Sequence, residues 1–148
     1  MNLGDCFSDE FKSQYAKDKL DLGTTLIVEI PSFNLDYKKY AIIVGVESDE
    51  VALVVINSEI NPNVFKSNYL VSQHVDIPLL GHENFLIKDS HIDCTKFQYK
   101  SKTEVIDYIE NNPHIVFNVA DDVCKKINST ITYSRLISLQ EKKRFGFA

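Results

Sequence analysis

Residues 40–57 read YAIIVGVESDEVALVVIN, and this stretch decides the fold class of the chain. It holds two runs of mainly β-branched and other apolar residues, Tyr40–Glu47 and Val51–Asn57. Such residues favour strands because their side chains fit well on a pleated surface. The polar segment Glu47–Glu50 between the runs predicts a turn. The stretch as a whole therefore predicts a β-hairpin.

Further strand signals lie on both sides of this hairpin. Thr24–Ile30 is also rich in β-branched residues and predicts a strand that precedes the hairpin. Asn61–Gln73 contains Pro62 and mixes aromatic with polar residues, which predicts a loop and a short strand. Asn84–Cys94 follows Gly81 and predicts another strand, at which a small β-barrel would close.

Two capping patterns predict helices in otherwise polar segments. Ser8-Asp9-Glu10 precedes apolar residues at helical spacing, so residues 1–21 are expected to form an N-terminal helical appendage. Ser101-Lys102-Thr103-Glu104 has the capping-box pattern, and the apolar stripe that follows it ends before Pro113. The second pattern gives the clearer signal because it combines a cap with a continuous apolar face.

The C-terminal part of the chain predicts one more helix and a basic tail. Asn118 can cap a helix in which apolar residues recur every four positions, and this helix should lie against the barrel. The tail, residues 136–148, carries Lys142-Lys143-Arg144 and is typical either of a final helix or of a frayed end. We assign residues 1–148 to a single domain, in which residues 22–135 form the barrel and its helices.

Composition limits the class of protein. A chain of 148 residues with 44% hydrophobic residues fits one globular domain. It has no signal-peptide pattern and no apolar run that could span a membrane, so we expect a cytoplasmic protein. Its three cysteines are an odd number without metal-like spacing, so we expect neither a disulfide framework nor a metal or other cofactor. A net charge of −5 argues against a general nucleic-acid coat protein and requires any RNA contact to be local.

Five segments together carry a family resemblance. Leu22–Val28 reads as a glycine-led first strand, Lys38–Val44 as the basic start of a hydrophobic strand, and Val51–Ser58 as a strand that ends in serine. Leu86–Asp93 reads as a late strand with an acidic residue, and Phe117–Ile127 as a closing helix. In this order the segments resemble the PemK/MazF-like toxin family of type II toxin–antitoxin systems. The resemblance covers roughly Leu22 to Arg135.

The resemblance implies a fold, an activity and partners. The fold would be mainly β with C-terminal α, an SH3-like PemK/MazF-type small β-barrel with packed helices. The activity would be metal-independent endoribonuclease cleavage of single-stranded RNA by a homodimer that an antitoxin protein inhibits. Ser58 would lie near the scissile phosphate, and Asp89 would act in acid/base chemistry or substrate positioning. Lys38-Lys39-Tyr40 departs from the family pattern of arginine followed by proline, and lysine lacks the two-pronged phosphate clamp of arginine.

The residues themselves offer groups suited to RNA cleavage. Attack by the 2′-hydroxyl requires a base, an acid, and groups that stabilise the charge growing on the phosphate. On a strand, Asp89, His91 and Asp93 would share one face, and the carboxylates would favour the protonated imidazole as the acid. Their spacing of about 6–7 Å argues against convergence on one metal ion. We predict Asp89, His91, Ser58 and Lys39 as catalytic residues, although a solvated strand face would show the same alternation.

Lysine and aromatic side chains near these positions predict substrate binding. Lysines would create a local positive potential for phosphates, and aromatic rings would stack on bases. The candidates are Lys38, Lys66, Lys88, Tyr40 and Tyr69. Lysines kept for solubility and aromatics in a core or dimer interface would give the same pattern. The alternative functions are therefore a non-catalytic protein- or nucleic-acid-binding module of the same fold, and an accessory domain whose N-terminal helix mediates assembly.

Overall fold

A computed structural model of the chain describes residues 9–29 and 38–148. These residues form one antiparallel sheet and five α-helices, together with a 3-10 turn at Pro113–Ile115. The strands are β1 (Thr24–Glu29), β2 (Lys38–Val46), β3 (Glu50–Asn57), β4 (His74–Ile77), β5 (Ser90–Ser101) and β6 (Phe117–Asn118). The helices are α1 (Asp9–Lys19), α2 (Asn68–Ser72), α3 (Lys102–Asn111), α4 (Asp121–Tyr133) and α5 (Leu139–Arg144). The expected α+β class with C-terminal helices is confirmed.

The sheet is a curled half-barrel with the strand order β4-β5-β3-β2-β1-β6. The predicted hairpin is confirmed as β2 and β3, and it contains a β-bulge. Ile43 pairs with Leu53 and Gly45 pairs with Ala52, so β2 carries one extra residue at this point. Within the described residues, β4 and β6 are the two ends of the order and do not pair with each other.

Each face of the sheet is covered by different helices. Helix α4 covers one face, called the α4 face, through Val123, Ile127 and Ile131, which pack against alternate strand residues that include Val54. Helices α1 and α3 cover the other, called the α1–α3 face, where the buried residues are Ala16, Leu26, Ala41, Ile43, Val51, Leu53, Val55, Val105 and Ile109. Strand β3 is buried on both sides, which explains its nearly continuous apolar sequence.

The helix predictions are confirmed in place but not always in their caps. Helix α3 begins as the capping box predicts, because the Ser101 hydroxyl accepts a hydrogen bond from the Glu104 N–H at 3.0 Å. The cap predicted at Asn118 is wrong. Asn118 pairs with Thr24 in the sheet, and α4 begins after Ala120, which has no side-chain cap. The N-terminal helix is confirmed over Asp9–Lys19, whereas Ser8 and the end of the first strand at Ile30 lie outside the described residues.

Of the two strand predictions between β3 and β5, the first is wrong and the second is right only for its C-terminal part, Ser90–Cys94. Residues 61–73 contain helix α2 instead of a short strand, because the Ser67 hydroxyl accepts from the Leu70 N–H and caps a helical turn. Residues 82–89 form turns, and the late strand begins only at Ser90. Phe85 and Leu86, the apolar residues of the predicted strand, are buried but pair with no other strand. Their burial, and not strand formation, explains the apolar pattern.

The loop between β4 and β5 is anchored by a buried histidine. His82 is 1% exposed, and its Nδ1–H donates to the Pro78 carbonyl at 2.8 Å. Its Nε2 accepts from the Ala120 N–H at 3.1 Å, at the start of α4. The imidazole therefore supplies, from a distant segment, a partner for a helix start that has no side-chain cap of its own.

The C-terminal tail forms a final helix that packs against the rest of the protein. Of the two structures that the sequence allowed, a final helix or a frayed end, the first is therefore correct. The Arg144 guanidinium donates to the carboxylates of Glu47 and Glu50 in the hairpin. The Lys142 ammonium donates to the carbonyls of Thr132 and Ser134, at the C-terminal end of α4. Two of the three basic side chains of the tail are thus bound within the protein. In the described part of the chain, no helix has both the length and the apolar character needed to cross a membrane.

Candidate functional site

A row of polar residues crosses the α1–α3 face on four adjacent strands. Asp76 of β4 lies opposite His91 of β5, and His91 lies opposite Asn57 of β3. Asn57 follows the core residue Val55 by two positions, so both point to the same face. The Lys39 ammonium of β2 donates to Asn57 Oδ1 at 2.7 Å and completes the row. We call these four side chains, Asp76, His91, Asn57 and Lys39, the polar row.

The first half of the polar row is a histidine oriented by a carboxylate. His91 Nδ1 lies 2.9 Å from Asp76 Oδ1, and the side chains are 30% and 84% exposed. An ionised carboxylate only accepts hydrogen bonds, so Nδ1 is the donor in this contact, and Nε2 is the ring nitrogen that can exchange a proton with a substrate. A histidine that is oriented by a carboxylate is a common arrangement in acid/base catalysis.

The second half of the polar row is a partly desolvated lysine. Lys39 is half-buried, and burial lowers the pKa of its ammonium group because the charged form loses hydration. The hydrogen bond to Asn57 holds the ammonium on the side of the strand that faces His91. A lysine in this state is both a cation for a phosphate and a better proton donor than a solvated lysine.

Asp89 lies beside the polar row. It immediately precedes β5, and its Oδ1 accepts from the Leu79 N–H at 2.8 Å. Asp76, Asp89 and His91 line one cavity of about 450 Å³ at the outer strand β4, where Asp122 and Lys126 of α4 reach around the edge of the sheet. Asp89 and His91 therefore share a cavity, but the carboxylate that contacts the imidazole belongs to Asp76.

Asp93 shares a face with His91 but takes part in a buried contact. Its Oδ1 accepts from the Thr95 N–H at 2.9 Å and from the Thr95 hydroxyl. His74 lies opposite Asp93 in β4; its side chain is 1% exposed and places Nε2 3.9 Å from Asp93 Oδ1. His74 Nδ1 bonds to the Leu70 carbonyl at 2.9 Å. At 3.9 Å the two side chains are too far apart for a hydrogen bond, and this buried pair lies next to the polar row without belonging to it.

The other predicted polar residues lie near the ends of the strands. Ser58 follows Asn57 at the end of β3 and is exposed. The Lys88 ammonium lies 3.4 Å from Glu59 in an exposed ion pair, and Lys66 is exposed in the loop before α2. Lys38 pairs through its backbone with Glu29, and its side chain lies outside the described part of the chain.

The two predicted aromatic residues are engaged in contacts within the protein. Tyr40 alternates with Lys39 and lies on the α4 face, with its ring centroid 5.6 Å from that of Phe85. The Tyr69 hydroxyl accepts from the Arg135 N–H at 2.7 Å, which lowers the pKa of this phenol. The Arg135 guanidinium lies 4.1 Å from the centroid of the Tyr69 ring. Neither ring belongs to the polar row.

Sequence reasoning missed two members of the polar row. Asp76 lies in the short strand β4, where His74 and Asp76 alternate with the buried Val75 and Ile77. This period of two was the available signal, but it covers only four residues. Asn57 was included in the predicted strand, and its position at the end of an apolar run was the available signal.

The described residues contain no other obvious reactive or metal-binding centre. No group of three or more His, Cys, Asp or Glu side chains within them could hold a metal ion. Burial raises the pKa of the Cys94 thiol to about 12, and it also raises the pKa of Cys124. Thiols with raised pKa values are poor nucleophiles, which leaves the polar row as the candidate site.

Comparisons with known proteins return no family for this chain. No family model matches the sequence, and no curated protein matches it. Function is therefore inferred from the residues of the polar row and their geometry.

Proposed function

We propose that the polar row is the active site of a metal-independent endoribonuclease that cleaves single-stranded RNA. The proposal takes the fold to be an SH3-like barrel of the PemK/MazF type, in a homodimer inhibited by an antitoxin protein. The observation that carries it is the Asp76–His91 pair on the same sheet face as Lys39 and Asn57. This arrangement supplies a base, an acid and a cation without a metal ion.

In this mechanism His91 acts as the base, and not as the acid that the sequence predicted, because Lys39 supplies the proton donor. Its Nε2 takes the proton of a ribose 2′-hydroxyl, and the resulting 2′-oxygen attacks the adjacent phosphorus. Asp76 holds the imidazole through Nδ1 and stabilises the imidazolium that forms. The new P–O2′ bond gives a 2′,3′-cyclic phosphate.

Lys39 acts as the cation and the acid. Its ammonium stabilises the negative charge that grows on the phosphate and donates a proton to the departing 5′-oxygen as the P–O5′ bond breaks. The lowered pKa of Lys39 favours this donation. His91 and Lys39 are separated by one strand, hence by roughly 10 Å between their backbones, and both side chains can reach a phosphate bound over Asn57.

The test is cleavage of a long single-stranded RNA of mixed sequence in the presence of a chelator, with mapping of new ends. We expect discrete cuts with 5′-hydroxyl ends from the unmodified chain. His91→Gln should reduce the rate by about 100-fold or more, the usual contribution of a positioned acid or base. His114→Gln is the matched control, because His114 is exposed in the 3-10 turn and has no role in the polar row.

Other outcomes decide against the proposal. Equal cleavage by the unmodified chain and His91→Gln would exclude His91 as the base. RNA that is bound and left intact by a folded protein would identify the non-catalytic binding module. Asp89→Asn should reduce cleavage less than His91→Gln, because Asp89 contacts the Leu79 N–H and not the imidazole.

A further inference from the structure

A second pocket, of about 270 Å³, lies between β1 and α3. Its apolar walls include Leu26 and Val28 of β1 and Val105 of α3. Val28 lies opposite Lys39 in the β1–β2 ladder, so the pocket begins one strand beyond the polar row. Substrate bound to Lys39 would therefore have its neighbouring parts next to this pocket.

Three polar groups surround the apolar walls of the pocket. The Tyr108 hydroxyl accepts from the Ile27 N–H at 3.3 Å, and no described residue accepts the hydrogen of this hydroxyl. Burial raises the pKa of Tyr108, so the hydroxyl keeps that hydrogen at neutral pH. Glu104 and Lys100 also line the pocket, one as a pure acceptor and the other as a pure donor.

We propose that this pocket binds a guanine base of the RNA next to the cleaved phosphate, an inference that rests on the proposed function. The aliphatic side chain of Val28, which is half-buried, offers an apolar contact for a base beside the polar groups of the pocket. The N1–H and N2–H groups of guanine are adjacent donors that one carboxylate can accept together, and Glu104 supplies that carboxylate. The guanine O6 is an acceptor for Tyr108 or Lys100. Unpaired bases are read in this way on their Watson–Crick edge.

The experiment measures nucleotide binding separately from cleavage. Guanosine 5′-monophosphate and cytidine 5′-monophosphate are titrated into the full chain and followed by ligand-observed NMR. We expect the guanosine nucleotide to bind more tightly. Glu104→Gln should raise the Kd of the guanosine nucleotide by roughly tenfold, because the new amide NH2 group would face an N–H donor of guanine. Glutamine still serves the capping box of α3, so the variant keeps the fold.

Asp107→Asn is the matched control for this experiment. Asp107 carries the same charge on α3, is exposed, and accepts from the Asn111 amide instead of lining the pocket. The control should bind both nucleotides as the unmodified chain does. Equal binding of the two nucleotides, or an equal effect of Glu104→Gln and Asp107→Asn, would overturn the guanine pocket.

The outcomes separate this inference from the proposed function. Selective guanosine nucleotide binding together with intact RNA would reject the ribonuclease and keep the pocket. Discrete RNA cuts without nucleotide selectivity would keep the ribonuclease and reject the pocket. If both hold, the mapped cuts should share a guanine at one position, and Glu104→Gln should weaken that preference without abolishing cleavage.

Discussion

Replacement of Gly45 by alanine tests how the C-terminal helix is held against the hairpin. A Cβ built on Gly45 would lie 2.6 Å from Cδ1 of Phe145 and 2.7 Å from its Cβ and Cγ. Non-bonded carbon atoms prefer separations of about 3.5–4.0 Å, so Phe145 has to move by roughly 1 Å. That movement disturbs the segment in which Arg144 binds Glu47 and Glu50.

The expected loss of stability follows from this overlap. Overpacking by a single methyl group in a close-packed region typically lowers the free energy of unfolding by about 1–3 kcal/mol. For a chain of this size the same loss lowers Tm by roughly 2–12 °C. Urea unfolding followed by far-UV circular dichroism measures the change, and the slope with denaturant should stay constant.

A double-mutant cycle with Phe145→Ala gives the decisive result. Alanine at position 145 removes Cγ and Cδ1, two of the three atoms that meet the new methyl group. Gly45→Ala should therefore cost less in the Phe145→Ala background, where only the 2.7 Å contact with Cβ of residue 145 remains. A Gly45→Ala protein within about 0.5 kcal/mol of the unmodified chain, or an equal cost in both backgrounds, would refute the docking of this helix.

Three further predictions concern the site, the loop anchor and the buried thiol. Lys39→Arg should slow single-turnover cleavage by about 100-fold, because arginine keeps the charge but cannot donate a proton to the leaving oxygen. RNA affinity in filter binding should stay the same. An unchanged rate of cleavage would show that Lys39 acts only as a cation. His82→Ala should lower the free energy of unfolding by about 1–3 kcal/mol, because the Ala120 N–H loses its acceptor. An equal loss in His114→Ala would contradict the role of His82 in anchoring the loop. Burial raises the pKa of Cys94 from 9.0 to about 12. The neutral thiol therefore stabilises the folded state fully below pH 9. As pH rises from 9 to 12, the free energy of unfolding falls by about 1.4 kcal/mol per pH unit. Urea midpoints should fall less steeply with alkaline pH in Cys94→Ala, and equal slopes would contradict this.

Local signals explain which parts of the fold could be predicted. The hairpin over residues 40–57 is decided by β-branched runs and a polar turn that lie next to each other in the chain. The start of α3 is decided by Ser101 and Glu104, which are three residues apart. Interactions of this range can be inferred from sequence because no tertiary contact is needed to form them.

Long-range contacts explain what the sequence did not reveal. His91 was placed correctly on a polar strand face, but its partner Asp76 is fifteen residues away and is brought next to it by the register of β4. Periodicity shows which face of a strand a residue occupies, but not which residue of a distant strand lies opposite it. The helical tail is similar, because its binding partners Glu47 and Glu50 lie far away in the chain.

The polar row begins where the core of the α1–α3 face ends. Along β3 the residues on this face are Val51, Leu53 and Val55, all buried, and then Asn57, which is half-buried. Burial of the apolar part of the strand fixes its register. The backbone of the next residue on the same face is thereby held in place without a further loss of backbone conformational entropy. The histidine and the lysine are each one strand away from Asn57 and are fixed in the same way. A rigid strand end next to an open face holds reacting groups more accurately than a loop does, so the geometry of the proposed site depends on the same residues that stabilise the fold.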